Sequence, residues 1–376
     1  MDKLEYEELK NAMIAFVNGP AQSYAKQIEE TQEVSVEIWK ELQSRGYLRL
    51  TAPKEYGGFG LSFVEYMQLL EIISQIHGSM RVIFHVYNGL WRAIDYLADE
   101  DQRERYTKAF VQGQKRITFT LTEPHSGSGT DIQTTVRREG TDYVVNGEKW
   151  MIIFSDVADE FLVFCRLEGT QGADGILALM VPRDAEGLEI KPMASAMGIS
   201  GTHHGHLIFR HCRIPAANRL GAEGQGLEVA FTGFLDPSRA AIGMTCVGLA
   251  ARALELAIAH AKQRITFGKP LSQRQTIQMW VAEMATDIEA ARQVCMHAAR
   301  AYDAGQPVTT LAAMAKLYST EMLQRVTDQS LQIHGGIGYF QSSEIERIYR
   351  DARMQRFEEG TAETQKMVIS RQIFMS

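Results

Sequence analysis

Between about residues 114 and 220 the hydrophobic period of this chain changes, and that change constrains its fold most tightly. On either side the apolar residues recur at helical spacing. Met67, Leu70, Ile73 and His77 fall on one face after Ser62-Phe63-Val64-Glu65, a capping-box pattern. Trp280, Met284, Ile288, Ala291 and Cys295 form a second stripe, and Leu311, Ala315, Tyr318 and Met322 a third. In between come short β-branched and aromatic runs, Phe161 to Cys165, Ile176 to Val181 and Leu207 to Phe209, punctuated by Pro182, Pro192 and Pro215. Asn146-Gly147 predicts a type I′ hairpin turn, because both residues tolerate positive φ. Helices, then strands, then helices predict an α+β chain with segregated elements rather than alternating βαβ units. The expected units are 1–113, 114–220 and 221–376.

Bulk properties exclude several classes. The 376 residues suffice for roughly two or three domains. With a net charge of −7 and no basic block beyond the Arg137-Arg138 pair, a nucleic-acid partner is not expected. No uninterrupted apolar run nears the ~18 residues that read as a membrane span. The acidic, polar start is unlike a targeting presequence, so a cytoplasmic protein is expected. Cys165, Cys212, Cys246 and Cys295 lie far apart without a C-x-x-C, as reduced buried thiols would. His203, His204, His206 and His211 have no carboxylate or thiol at a zinc-motif spacing; they predict a polar loop beside the strands, and no metal is expected.

One tail segment carries chemistry. In Arg350-Asp351-Ala352-Arg353…Arg356-Phe357-Glu358-Glu359-Gly360-Thr361 a glutamate stands where a helical run meets a Gly-Thr break. There its side chain can aim into a cleft as a general base. It can equally belong to a surface charge lattice with Arg353 and Arg356, and the segment alone leaves both readings open.

Four further motifs accompany it in order: Pro53-Lys54-Glu55-Tyr56-Gly57-Gly58, Thr122-Glu123-Pro124-His125-Ser126-Gly127-Ser128, Arg264-Ile265-Thr266-Phe267-Gly268 with Gln275, and Gln332-Ile333-His334-Gly335-Gly336-Ile337-Gly338-Tyr339. Together, from about Trp39 to the end, the chain resembles the acyl-CoA dehydrogenase family of flavoproteins. The resemblance implies an N-terminal helical domain, a central β-barrel domain and a C-terminal four-helix bundle. It also implies FAD, a homotetramer, an acyl thioester substrate on CoA or a carrier protein, and electron transfer to an electron-transfer flavoprotein or similar acceptor. Glu359 would remove the α proton while flavin N5 takes the β hydride, with the Glu359 N–H helping to stabilise enolate charge on the thioester oxygen. A related branch carries its base at the position held here by Ser238, which cannot serve.

By the same resemblance, the flavin contacts are Phe119, Leu121, Thr122, Ser128, Met151, Ile153, Arg264, Thr266, Phe267, Gln275, Gln332, Gly335, Gly336, Gly360, Thr361 and Glu363. Arg81, His85, Ser128, Asp236, Arg239, Glu358 and Gly360 would border the substrate. Arg81 sits where the glutaryl-CoA branch holds a distal carboxylate, which points to a short acyl group with a polar or carboxylated tail. A protein carboxylate, Glu358, is the alternative partner. Two departures stand out. Gly129-Thr130 is inserted before Asp131, and Met151, Ile153 and Phe154 replace the family's aromatic, hydroxyl and amide. Trp150 could replace the aromatic only by a one-residue slip that flips the strand face. A specialised member acting on an acyl-carrier-protein substrate, or a non-redox lyase or flavin-binding scaffold, are the competing readings.

Overall fold

The computed structural model describes residues 1–126, 129 and 131–375. Its N-terminal part is helical: α1 (Lys3–Asn18), α2 (Pro20–Thr31), α3 (Val36–Ser44), α4 (Phe63–Ile73) and α5 (Gly78–Gly89). α4 opens on the predicted capping box, with Ser62 Oγ accepting from Glu65 N at 3.2 Å and Glu65 Oε2 accepting from Ser62 N at 2.8 Å. The predicted stripe ends earlier than its spacing suggests. His77 is not on α4; it caps α5, its Nδ1 accepting from Ser79 N at 3.1 Å. A free N–H at a new helix start outcompetes continuation of the old helix.

Eight strands follow: β1 (Ile117–Thr120), β2 (Thr135–Glu139), β3 (Asp142–Ile153), β4 (Glu160–Leu167), β5 (Ile176–Pro182), β6 (Leu188–Pro192), β7 (His204–Pro215) and β8 (Arg219–Leu220). They pair in the order β6-β7-β3-β2-β4-β5-β8, with β1 parallel to β4. Side chains alternate along β4. Phe161, Val163 and Cys165 enter a core enclosed by the sheet, whereas Leu162 and Phe164 join the large core shared with the helices. The seam between sheet and helices is therefore apolar from both sides.

Asn146-Gly147 is not the hairpin turn. β3 runs straight through it, and the turn falls at Gly140-Thr141, between the paired residues Glu139 and Asp142. Gly147 instead sits in a β-bulge at φ 140°, where an added Cβ would lie 2.6 Å from Thr134 Cα. Asn146 Oδ1 accepts from His211 N at 2.8 Å, so the pair bends a strand and does not end it.

The C-terminal part is a bundle of α6 (Asp236–Gln263), α7 (Gln275–Asp303) and α8 (Thr309–His334), followed by α9 (Glu344–Met354) and α10 (Ala362–Met375). Small residues let α6 lie deep among its neighbours. A Cβ on Gly243 would come within 2.8 Å of Cys295 Sγ, and one on Gly248 within 2.3 Å of Glu71 O. The stretch Gly226–Gln263 is long and apolar enough by composition to cross a membrane, yet 67% of its apolar window is buried inside the protein. All four cysteines are free and buried.

Candidate active site

A cleft of about 150 Å³ opens where the three parts meet. α5 contributes Arg81, Val82, His85 and Val86; the strands contribute Thr118, Phe119, Met151, Ile153 and His204. The far wall is Phe234, just before α6, with Met354, Glu358 and Glu359 at and beyond the end of α9.

Glu359 is held in a backbone conformation that its residue type disfavours. Its φ is 54°, in the left-handed region, and Gly360 follows at 93°. Several donors pin this turn. Gln365 Nε2 donates to both Glu359 O and Gly360 O at 3.0 Å, Lys316 Nζ donates to Gly360 O at 2.6 Å, and Arg239 Nε reaches Glu359 O at 3.4 Å. Such overdetermined strain is characteristic of a functional position. Burial of the carboxyl, and next the charge of Glu358, push its pKa up to about 7 against the pull of Arg239, Ser238 and Lys316. Arg353 lies over the Phe357 ring and Arg356 donates to Gln324, so the lattice reading of Glu359 finds no support. Upstream, Asp351 fixes the approach of α9, accepting from Ile199 N at 2.6 Å and Gly78 N at 3.2 Å.

Arg81 is 1% exposed and meets Glu358 in a bidentate pair, Nη1 to Oε2 at 3.0 Å and Nη2 to Oε1 at 3.2 Å. Gln355 completes the set, its amide oxygen accepting from Arg81 Nη2 at 2.8 Å and its nitrogen donating to Glu358 Oε2 at 3.2 Å. Arg81 Nε has no partner among the described residues. His85 bridges Tyr66 and Ser238, and desolvation, then the charges of Arg81 and Arg92, push its pKa down to about 3.

The opposite wall is shaped by a second bulge. Register shifts between Lys149 and Ile152, leaving Met151 at φ 56° and 53% exposed toward the cleft. Trp150 does not take its place: its ring packs edge-on against His206 at 4.8 Å, and its backbone N–H donates to Thr122 O at 2.8 Å. Ile153 faces the cleft beside Phe119, and its carbonyl accepts from Thr118 Oγ1 at 2.8 Å. Phe154 turns away, buried edge-on against Trp39. Leu121 is buried, its carbonyl accepting from Lys149 Nζ at 2.8 Å, and Lys149 also pairs with Glu123 at 2.8 Å. Burial opposes the charge on Glu123, but Lys149 holds its pKa below the usual carboxylate value.

A second group of expected residues gathers on the bundle surface. The His260 and His334 rings stack at 4.6 Å, which brings the Arg264-Thr266-Phe267 segment beside the Gln332 to Gly336 loop. Phe267 is 98% exposed at φ 47°, and nothing lies within 4 Å of a Cβ added to Gly335 or Gly336. Arg274 Nη2 donates to Thr266 O and so ties the segment to the start of α7, where Gln275 is exposed.

Not every expected residue reaches the cleft. Asp236 accepts from Arg239 Nη1 at 2.8 Å and from Thr309 Oγ1 at 2.7 Å, bracing the helices behind Glu359. Thr361 caps the approach to α10, accepting from Thr364 N at 3.4 Å, and Glu363 is exposed in the first turn of that helix. Ser128 lies outside the described residues. Thr118, His204, Phe234, Lys316 and Gln365 were not expected here. His204 sits in β7, not in a polar loop, because its strand pairs through to Ile153. Its pKa is lowered, chiefly by burial.

Comparison with known proteins agrees with this layout. The acyl-CoA dehydrogenase N-terminal domain matches residues 3–114, the middle domain 118–212 and the C-terminal domain 224–374. An NADH-dependent acryloyl-CoA reductase of Anaerotignum propionicum is 34% identical, over 98% of this chain and 94% of its own length. The CarC subunit of a caffeyl-CoA reductase-Etf complex of Acetobacterium woodii is 33% identical, over 92% and 91%. Among solved structures, butyryl-CoA dehydrogenase from Megasphaera elsdenii superposes with a TM-score of 0.93 at 30% identity, covering 100% of this chain and 99% of that one. The chain belongs to the acyl-CoA dehydrogenase family, oxidoreductases that act on CH–CH groups with FAD as cofactor.

Proposed function

We propose that the chain interconverts a short saturated acyl thioester and its α,β-unsaturated form, with Glu359 as the proton-transferring group at Cα. The observation that carries this reading is the Glu359 carboxyl lining the cleft on a pinned left-handed turn, where burial pushes its pKa up to about 7. In the oxidising direction the carboxylate takes the α proton as the β hydride leaves and a double bond forms between Cα and Cβ. FAD, when bound, supplies the two-electron acceptor. A base whose pKa lies near ambient pH serves proton removal and proton return alike. That suits either direction, and reductases stand beside dehydrogenases among the relatives.

The residues present fit FAD. The Phe119, Met151 and Ile153 wall is apolar and open toward the cleft, and the Arg264, Gly335 and Gly336 surface leaves room for a phosphate-bearing group. Ile265, Phe267, Tyr339 and Phe340 are all exposed on that surface, which supports covering by a second subunit and, with it, a tetramer. The complex named for the Acetobacterium relative supports an electron-transferring flavoprotein as partner.

For the substrate tail, the Arg81–Glu358 pair supports a short uncharged acyl group, since the guanidinium already has its carboxylate. A carboxylated tail is the second reading, supported by Arg81 Nε, which has no partner among the described residues. The decisive experiment is anaerobic flavin bleaching of the FAD-loaded protein with butyryl-CoA, glutaryl-CoA and an acyl-carrier-protein thioester. Butyryl-CoA should bleach wild type, and Glu359→Gln should retain FAD without bleaching. Bleaching by the Gln variant at the wild-type rate would sink the assignment of the base.

A further inference from the structure

A second cavity, of about 270 Å³, is walled by the end of α3, by Tyr87 of α5 and by the segment leading into β1. It shares no lining residue with the cleft. Trp39 stands between the two, lining this cavity and packing edge-on against Phe154 at 5.5 Å. Arg49 and Arg116 line the cavity, and no aspartate or glutamate does. Arg116 lies over the Trp39 ring at 5.1 Å and Arg49 over the Phe59 ring at 5.7 Å. Among the described residues neither guanidinium has a hydrogen bond or a carboxylate within 4.0 Å, and Arg49 Nε is buried without a partner. Asp159 accepts from the backbone N–H of Arg116 at 2.7 Å and not from its side chain.

Other buried and half-buried guanidiniums of this protein meet carboxylates: Arg81 meets Glu358 at 3.0 Å, Arg252 meets Glu344 at 2.8 Å and Arg292 meets Glu71 at 2.8 Å. A guanidinium drawn partly out of water without an acceptor is costly, and a second like charge in the same cavity adds to that cost. An anion between them removes both. We propose that this cavity binds a small organic anion, its carboxylate or phosphate group held by Arg49 and Arg116. The planar fork of each guanidinium suits either group.

The rings under the two arginines fix where the forks lie before a ligand arrives. Gln112 adds a neutral donor. Its Oε1 accepts from Gln114 Nε2 at 2.9 Å, which leaves its own amide nitrogen without an acceptor among the described residues. That nitrogen and Arg49 Nη1 lie 4.0 and 3.9 Å from a Cβ built on Gly57, so both donors approach one spot that carries no side chain. Leu48, Trp39 and Tyr87 supply the apolar wall, and the exposed Gln43 and Ser44 leave an entry from solvent. The volume falls just below the roughly 300–1,000 Å³ of sites for drug-sized ligands, which fits a small anion. Nothing in this assignment depends on the role of Glu359.

The test is equilibrium dialysis of the FAD-loaded protein in phosphate-free buffer against phenyl phosphate, benzoate and the uncharged benzyl alcohol. At least one of the two anions should bind once per chain with a Kd below about 1 mM, and the tighter of the two names the head group. Arg49→Gln and Arg116→Gln should each weaken it about tenfold or more, and the pair should abolish it. Arg264→Gln, on the bundle surface, should leave the Kd unchanged. The bound anion should raise the melting temperature of wild type and not that of the Gln pair. Absence of binding by both anions, equal binding of benzyl alcohol, or wild-type affinity in the Gln pair would overturn the proposal. Binding to FAD-free protein that vanishes on loading FAD would overturn it too, because the cavity would then belong to the flavin. Arg49→Lys and Arg116→Lys keep the charges and lose the forks, so they decide the matter even if the Gln pair does not fold. Each should weaken binding by less than its Gln counterpart, and wild-type affinity in both sinks the assignment.

Discussion

The two walls of the cleft each hold a non-glycine residue in the left-handed region, Glu359 at φ 54° and Met151 at φ 56°, and they hold it differently. Around Glu359 the carbonyls of the turn are gripped by Gln365, Lys316 and Arg239. Around Met151 the conformation belongs to a bulge, and the side chain projects half-exposed with no polar group of its own to satisfy. Strain held by many partners fixes where a reacting atom sits. Strain that belongs to a bulge re-aims a strand and leaves the side chain open to substitution. The Glu359 wall is accordingly built for geometry, and the strand wall for shape.

The largest effect should come from the Glu359 wall. Glu359→Gln should lower turnover by about 10²–10⁴-fold with FAD retained. It should also change stability in a pH-dependent way. The folded pKa of about 7 lies above the ordinary value of 4.5, so between those pH values the native state keeps a proton that the unfolded chain has lost. Wild-type stability therefore falls as pH rises through that window, by on the order of 3 kcal/mol in total. The Gln variant lacks this slope. Its melting temperature should match wild type below pH 4.5 and exceed it above pH 7; parallel curves would mean the carboxyl is not strained by burial.

The next largest effect concerns the paired charges behind Glu359. Arg81→Met strands the partly buried Glu358 carboxylate, and breaking one side of a buried pair costs about 3–5 kcal/mol, an upper bound here. Adding Glu358→Leu should recover most of that loss, and the preference for butyryl over glutaryl thioester should persist in the double variant. Strong wild-type selectivity for the glutaryl ester that vanishes in Arg81→Met would instead establish Arg81 as the tail anchor. Lys316 should matter less. Burial lowers its pKa to about 8 while the charges of Glu359 and Glu358 hold it up, so the cation is coupled to Glu359. Lys316→Met should raise the acid limb of the rate profile and cost about tenfold at pH 7. An unmoved limb would assign Lys316 to helix packing alone.

Much of this contrast was legible in the sequence, and unevenly. The change of hydrophobic period located the strands, and Gly360-Thr361 after Glu359 marked a helix end, which the structure places at the cleft. Arg81 and Glu358 could be named as partners, but whether they meet depends on how α5 and the turn after α9 approach each other. That approach is set by Asp351 bridging Gly78 and Ile199, a contact across distant segments with no sequence period. Asn146-Gly147 misled because its dipeptide suits both a turn and a bulge, and pairing with β7 decides between them. His204, Lys316 and Gln365 were invisible for another reason. Each carries a polar group into a position that apolar patterning cannot foresee, and each is explained only by the turn or cleft it meets.

The strand wall offers the smallest and most discriminating effect. Ile153 faces the cleft, and its carbonyl already accepts from Thr118, so the backbone is fixed before any substitution. Ile153→Thr therefore changes the side chain with little freedom for the strand to move. A hydroxyl there gains at most one net hydrogen bond, about 0.5–1.5 kcal/mol. For a two-electron couple that corresponds to roughly 10–30 mV in the potential of bound FAD. The same swap removes apolar contact from a half-buried position, so a small loss of melting temperature should accompany it. Potentiometric titration of wild type and variant separates the two consequences. A shifted potential with retained FAD means the wall tunes the cofactor and that wild type has given up that tuning. A lowered melting temperature with an unchanged potential means the hydroxyl bonds within the protein, and the strand wall contributes shape alone.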